Sequence, residues 1–186
     1  MKKKRFALLV CLILALQLVV ASAWAEGENL LKNGSFSESD GTLPTGWTAS
    51  AWVMDELYSS FSLESDEEQG QVAVIESEVA NDARFEQTIA VEPDTVYEIS
   101  GLIRAENVSG EIGANLSVAD TFVYTDMIND SDGAWIPVSL YVRTGAEQNS
   151  LTLYARLGGY GGTATGRAEF AHLSVRQAEP EAGVLV

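Results

Sequence analysis

The sequence predicts an all-β protein, a two-sheet jelly-roll β-sandwich that follows an N-terminal signal peptide. Three observations lead there. Val, Ile, Thr and aromatic residues alternate with polar ones in short runs, the pattern of half-buried strands. Turn-forming clusters separate the runs: Glu92-Pro93-Asp94, Ser109-Gly110, Ser131-Asp132-Gly133, Thr144-Gly145 and the glycines at 158, 159, 161 and 162. No stretch after the leader has the apolar period of a long amphipathic helix.

Strands are predicted at 47–53, 58–63, 71–77, 84–90, 96–106, 113–118, 122–125, 135–144, 150–157 and 168–176, with a shorter one inside 29–36. Strands at this spacing pack as two sheets of a single domain, here 26–176. Alternation assigns their faces. Leu151, Leu153, Ala155 and Leu157 point inward, which turns Thr152, Tyr154 and Arg156 outward. Ala114, Leu116 and Val118 go inward, Asn115 and Ser117 outward. Val138, Leu140 and Val142 go inward, Ser139, Tyr141 and Arg143 outward. Phe85 and Ile89 suit the core, leaving Arg84, Glu86 and Thr88 outside. The segment 177–186, with Ala178-Glu179-Pro180-Glu181, reads as a linker-like tail.

Residues 1–25 read as the signal peptide. Lys2, Lys3, Lys4 and Arg5 form a positive start, 6–20 is apolar, and Ala23-Trp24-Ala25 is a small-x-small cleavage site. The apolar run is shorter than the ~20 residues of a spanning helix, so no membrane insertion is expected after cleavage. The leader holds four of the eleven Lys and Arg residues, no acid, and the only cysteine, Cys11. What remains has seven basic residues against 27 acidic ones, a net charge of −20. Without cysteine there is no disulfide framework, zinc-thiolate site or thiol nucleophile, and stability rests on the core. A domain of ~150 residues buries about 70% of its chain surface, which is sufficient. Nucleic acid and anionic lipid are excluded as partners, because both need clustered Lys and Arg. A strongly acidic surface suits solubility and a neutral partner. The lysine-rich leader suits a bacterial protein, secreted or held at the cell surface.

Catalysis needs a reactive constellation. The lone His172 falls in the last predicted strand, and there is no Gly-x-Ser-x-Gly elbow, His-Glu-x-x-His pair or phosphate loop. Glycoside hydrolysis needs only two carboxylates, and 27 acids supply pairs without specificity. The oxygen-rich 126–133 segment lacks the alternating ligands of an EF-hand loop, since Ile128 takes a ligand position, and it reads as an Asx-rich turn. Glu64-Ser65-Asp66-Glu67-Glu68 reads as a solvated acidic loop.

Two bookends carry the functional signal. The first is Asn29-Leu30-Leu31-Lys32-Asn33-Gly34-Ser35-Phe36, followed by Leu43-Pro44-Thr45-Gly46-Trp47. The second is Ala155-Arg156-Leu157-Gly158-Gly159-Tyr160, followed by Arg167-Ala168-Glu169-Phe170-Ala171-His172-Leu173-Ser174-Val175. Together they resemble the first and last strands of the carbohydrate-binding modules grouped as families four, nine and twenty-two, which share a galactose-binding-like jelly roll. The resemblance implies a non-catalytic module that tethers to a poly- or oligosaccharide. By position it implies structural roles for Trp47 and Trp135, and binding roles for Trp52, Tyr124, Arg156 and the neighbouring Tyr160. Sugar rings stack on aromatic faces, and Glu86, Asn115, Tyr154 and Arg156 are the polar outward residues expected to bond their hydroxyls. The family's calcium ligands fall at Ser37 and Ala171, which have no carboxylate, so no metal or other cofactor is expected; only Glu38 and Glu169 are left to compensate. Carbohydrate is the expected partner, with other domains or a cell-surface protein as further ones. The same fold also allows an adhesion or structural sandwich that binds protein or spaces domains, and, less readily, a hydrolase or lyase.

Overall fold

A computed structural model describes residues 27–179. The predicted leader, 1–25, and the tail from 180 onward lie outside the described residues. The described chain contains nine strands and no helix: β1 (Thr48–Ala51), β2 (Ser59–Asp66), β3 (Gly70–Asn81), β4 (Ala83–Ala90), β5 (Val96–Gly110), β6 (Ala114–Val118), β7 (Ile136–Arg143), β8 (Ser150–Leu157) and β9 (Ala164–Gln177). They form two antiparallel sheets, one ordered β1-β4-β8-β6 and the other β2-β3-β9-β5-β7. The chain is an all-β two-sheet sandwich, as its alternation predicts.

The two sheets enclose one apolar core. Phe85, Leu116, Leu153 and Leu157 meet Ile75, Ile99, Ile103 and Phe170 there, all essentially inaccessible. Phe61 packs edge-on against Phe85 with ring centroids 5.4 Å apart. Burial of this kind stabilises by about 25 cal/mol per Å² of apolar surface.

Two predicted strands are absent. The 29–36 segment is an irregular strap, because Asn33 and Phe36 adopt left-handed φ values of 53° and 57° and curl the chain. Its side chains replace the missing ladder. Asn29 Nδ2 donates to Leu173 O (3.0 Å), and Val175 N donates to Asn29 Oδ1 (3.0 Å). Inside, Gln87 clamps the strap to β4: Lys32 N donates to its Oε1 (2.7 Å), and its Nε2 donates to Lys32 O and Gly46 O. Phe36 and Trp47 then drop into the core with centroids 5.3 Å apart. The 122–125 segment makes only one isolated bridge, Ser117 to Tyr124, because Thr121 Oγ1 binds Val118 O and Val123 N and turns the chain sharply.

A bulge in β9 creates a second, smaller cluster. Two β9 residues, His172 and Leu173, oppose the single Gly101 of β5, and His172 takes a φ of 51°. Phe170 and Leu173 therefore both face the main core, while Ala171 faces outward beside Val72 and Val74. Trp135 and Leu102 cover this cluster. Trp135 is thus structural but lies outside the main core, whereas Trp47 belongs to it.

The strap predicts a sensitive glycine. A Cβ on Gly34 would stand 2.2 Å from Leu173 O, a backbone atom that cannot swing aside. Gly34→Ala is expected to lower stability by about 1–3 kcal/mol, measured as a shift of the urea midpoint at unchanged slope.

Candidate functional site

The outer face of the β1-β4-β8-β6 sheet carries the predicted site residues in two cross-strand rows. Register aligns Ser50, Arg84, Arg156 and Asn115 in one row. It aligns Thr48, Glu86, Tyr154 and Ser117 in the next, with Tyr124 bridged to Ser117 beyond the sheet edge. Trp52 follows β1 and donates its backbone N–H to Asp82 O (2.9 Å), which places it at the opposite edge. Tyr160 arrives from the β8–β9 loop, where Gly159 and Gly162 bond each other in a tight hairpin.

A buried ion pair organises the face. Arg156 Nε donates to Asp82 Oδ1 (2.6 Å) and its Nη2 to Asp82 Oδ2 (2.5 Å), a bidentate fork. The Arg156 side chain is 2% exposed and Asp82 is 7% exposed. Aromatic rings complete the enclosure: the guanidinium carbon sits 4.1 Å from the Tyr160 ring centre and 5.3 Å from that of Tyr154. Arg84 lies over Tyr154 at 4.8 Å and bonds Asp82 and Glu86. Ser50 Oγ also donates to Glu86 Oε2 (3.1 Å). Two arginines and two carboxylates neutralise one another on this face of an otherwise acidic chain.

Exposure divides the seven predicted residues into floor and rim. Arg156, Asn115 and Tyr154 point away from the core as alternation predicts, yet all three are buried, Arg156 and Asn115 beside Tyr160 and the segment after β6 and Tyr154 between Arg84 and Arg156. Trp52 (82% exposed), Tyr160 (46%) and Tyr124 (41%) stand above them, and the half-buried Glu86 lies between. Three further residues join the site. Phe122, 77% exposed, meets Tyr160 edge-on at 6.1 Å; its run of apolar residues reads as a strand, which hides it. Arg84 is outward as alternation predicts, whereas Asp82 precedes β4 and carries no sequence signal of its own.

Burial, with the nearby Tyr160 hydroxyl adding to it, pushes the Tyr154 phenol up to about 12. The raised value means that the folded state keeps a proton which the unfolded chain releases near pH 10.

A larger cleft, about 480 Å³, lies on the other sheet beside Arg104, Glu106, Asp130 and Arg167. Its arginines are also committed. Arg104 binds Asp66 (2.8 Å) and Glu169, and Arg167 binds Glu64 (2.7 Å) and Glu169 (2.9 Å). Backbone N–H groups, Gln69's first, and Arg104 hold the Asp66 carboxyl below the usual carboxylate range. Part of the predicted acidic loop is therefore the end of β2, locked into ion pairs. Arg104 covers the Trp135 ring at 4.5 Å, so this cleft presents no open aromatic face. We therefore place the candidate site on the four-stranded sheet.

The residues present do not fit the family's calcium. The Ala171 methyl is buried against valines, the Ser35 hydroxyl donates to the Ser37 hydroxyl (3.1 Å), and Glu169 is taken by two arginines. In the 126–133 segment Asp130 Oδ1 accepts from Asp132 N (2.9 Å), an Asx turn. No group of three or more acidic, His or Cys side chains among the described residues is arranged to hold a metal ion.

No protein-family model matches the chain, and no curated protein matches it. Solved structures do. A CBM4 structure aligns with a TM-score of 0.56 at 16% identity, over 79% of this chain and 99% of that one. The chain shares its fold with carbohydrate-binding modules. TmCBM61, solved in complex with β-1,4-galactotriose, aligns with a TM-score of 0.52 at 12% identity, over 81% of this chain and 99% of that one. The enzymatically active domain of tailspike protein 4 of bacteriophage CBA120 also aligns, at 0.56 and 12% identity. It covers 81% of this chain, which spans only 21% of the tailspike domain. At these identities the likeness is one of fold.

Two outcomes follow from the ion pair. Asp82→Asn leaves a buried guanidinium uncompensated and is expected to cost about 3–5 kcal/mol, read from urea unfolding. Stability is expected to be full below pH 10 and to fall as pH rises toward 12, the window set by the Tyr154 phenol. Tyrosinate absorbance at high pH should lose a late-titrating component in Tyr154→Phe.

Proposed function

We propose that this chain is an exported, non-catalytic carbohydrate-binding module that holds a glycan across the outer face of its four-stranded sheet. The observation that carries the reading is the arrangement of exposed aromatics. Trp52 rises at one edge of the face, and Phe122, Tyr124 and Tyr160 rise at the other. From β1 to Tyr124 are four strand spacings, roughly 19 Å at about 4.8 Å each, long enough for several sugar rings lying across the strands. Rings would stack on the rim aromatics, and the half-buried Glu86 and Arg84 would meet the hydroxyls between them.

The face supports binding and not bond cleavage. The carboxylates of Asp82, just before β4, and Glu86, within it, both bind Arg84. Neither is paired across a cleft with a second acid, the arrangement glycoside hydrolysis uses. A second reading has its own observation. Met54, Leu57 and Val79 are exposed in the segments that follow β1 and end β3, which favours an adhesive surface for protein there.

Affinity electrophoresis against soluble β-glucan, xylan, β-galactan and α-glucan tests the reading. Retardation by at least one is expected; retardation by none refutes it. Trp52→Ala and Phe122→Ala are each expected to weaken binding about tenfold or more, with unchanged urea midpoints because both side chains stand in solvent. Loss of binding to protein partners with glycan binding intact in Trp52→Ala would favour the adhesive reading.

A further inference from the structure

Asn115 ends in an acceptor with nothing to accept. Its Nδ2 donates to Gly113 O (2.9 Å) and Gly158 O (3.0 Å). Two carbonyls can only accept, so the amide cannot be turned the other way. Oδ1 is left without a hydrogen-bond partner on a residue that is 1% exposed. A buried acceptor without a donor is costly, and it marks a place where a donor is wanted.

That residue lines a narrow crevice with only about 10 Å³ of free space, whose walls are Phe122, Tyr124 and Tyr160 and whose base includes Arg156. The walls are held together before any ligand arrives. Asp120 N donates to Tyr160 Oη (3.3 Å), and Phe122 meets the Tyr160 ring edge-on. The closed end has room for a group no larger than a water molecule. A pyranose ring is too large for it, and so is a whole hydroxymethyl arm; the terminal hydroxyl of such an arm is not, provided its CH₂ stays at the mouth between the aromatic walls. The CH₂ of that arm suits aromatic walls, and its hydroxyl supplies the donor that Asn115 Oδ1 lacks.

We infer that this crevice is a subsite for the primary hydroxyl of a hexose unit, and that the face consequently selects hexose-based glycans over pentose-based ones such as xylan. The inference rests on the carbohydrate-binding reading and adds the class of sugar to it. Asn115 and the Phe122–Tyr160 corner are its specificity determinants.

The test uses the intact chain with soluble β-glucan, β-1,4-galactan and xylan, then with the retained hexan before and after 6-deoxygenation. Hexan binding is expected to exceed xylan binding about tenfold or more, and removal of the primary hydroxyl is expected to cost about tenfold, the effect of one lost hydrogen bond to a buried acceptor. Asn115→Ala is expected to abolish the difference between the hexan and its 6-deoxy form. Should that variant not fold, the 6-deoxy polymer on the wild-type chain decides alone. Xylan bound as tightly as any hexan, or equal binding of the 6-deoxy form, overturns the subsite and leaves the carbohydrate reading standing. Retention by no polymer overturns both.

Discussion

The candidate face depends on the pairing of Arg156 with Asp82. A guanidinium that is 2% exposed is expensive to hold in a protein interior unless a carboxylate meets it squarely, and here the fork is bidentate. The pair joins β8 to the residue that precedes β4. Much of the face is then set from it. Asp82 also receives Arg84 through its carboxylate and Trp52 through its carbonyl. Arg156 in turn supports the Tyr154 and Tyr160 rings. With the pair in place, polar residues pack on the outside of the sandwich almost as tightly as apolar ones pack inside. The result is a flat, neutral floor under a raised aromatic rim.

The two outer faces solve the same problem differently. Both sheets place arginines among carboxylates, which suits a chain with so few cations. On the five-stranded sheet the pairs run between strands, and an arginine lies on the Trp135 ring. These pairs are partly buried, and they leave no aromatic surface free. On the four-stranded sheet Arg84 and Arg156 cover the buried Tyr154 and back the Tyr160 ring, while Trp52, Phe122, Tyr124 and Tyr160 keep exposed surface. The difference in layering, more than the size of either cleft, separates a surface suited to stacking from one that is closed on itself.

Much of this was legible in the sequence, and the losses have physical causes. Period-two alternation gave the faces of β4, β6 and β8 correctly, because each buries one side in a continuous apolar core. It failed at 29–36, where Asn and Gln side chains replace a ladder that the left-handed residues Asn33 and Phe36 prevent. It failed at 122–125, where Thr121 turns the chain and lifts Phe122 into solvent. Alternation also reports direction and not accessibility. It turned Arg156 and Asn115 outward without showing that Tyr160, from a glycine-rich hairpin, lies over them. The partner of Arg156 was out of reach for the same reason: Asp82 is 74 residues away in sequence.

The most direct measurement is a map of backbone amide shifts as a retained glycan is titrated into the chain. The account predicts that perturbations cluster at Trp52, Arg84, Glu86, Phe122, Tyr124 and Tyr160, with the amides around Arg104, Asp130 and Arg167 unmoved. Perturbations centred on the Arg104–Arg167 cleft, with the aromatic rim silent, would contradict it.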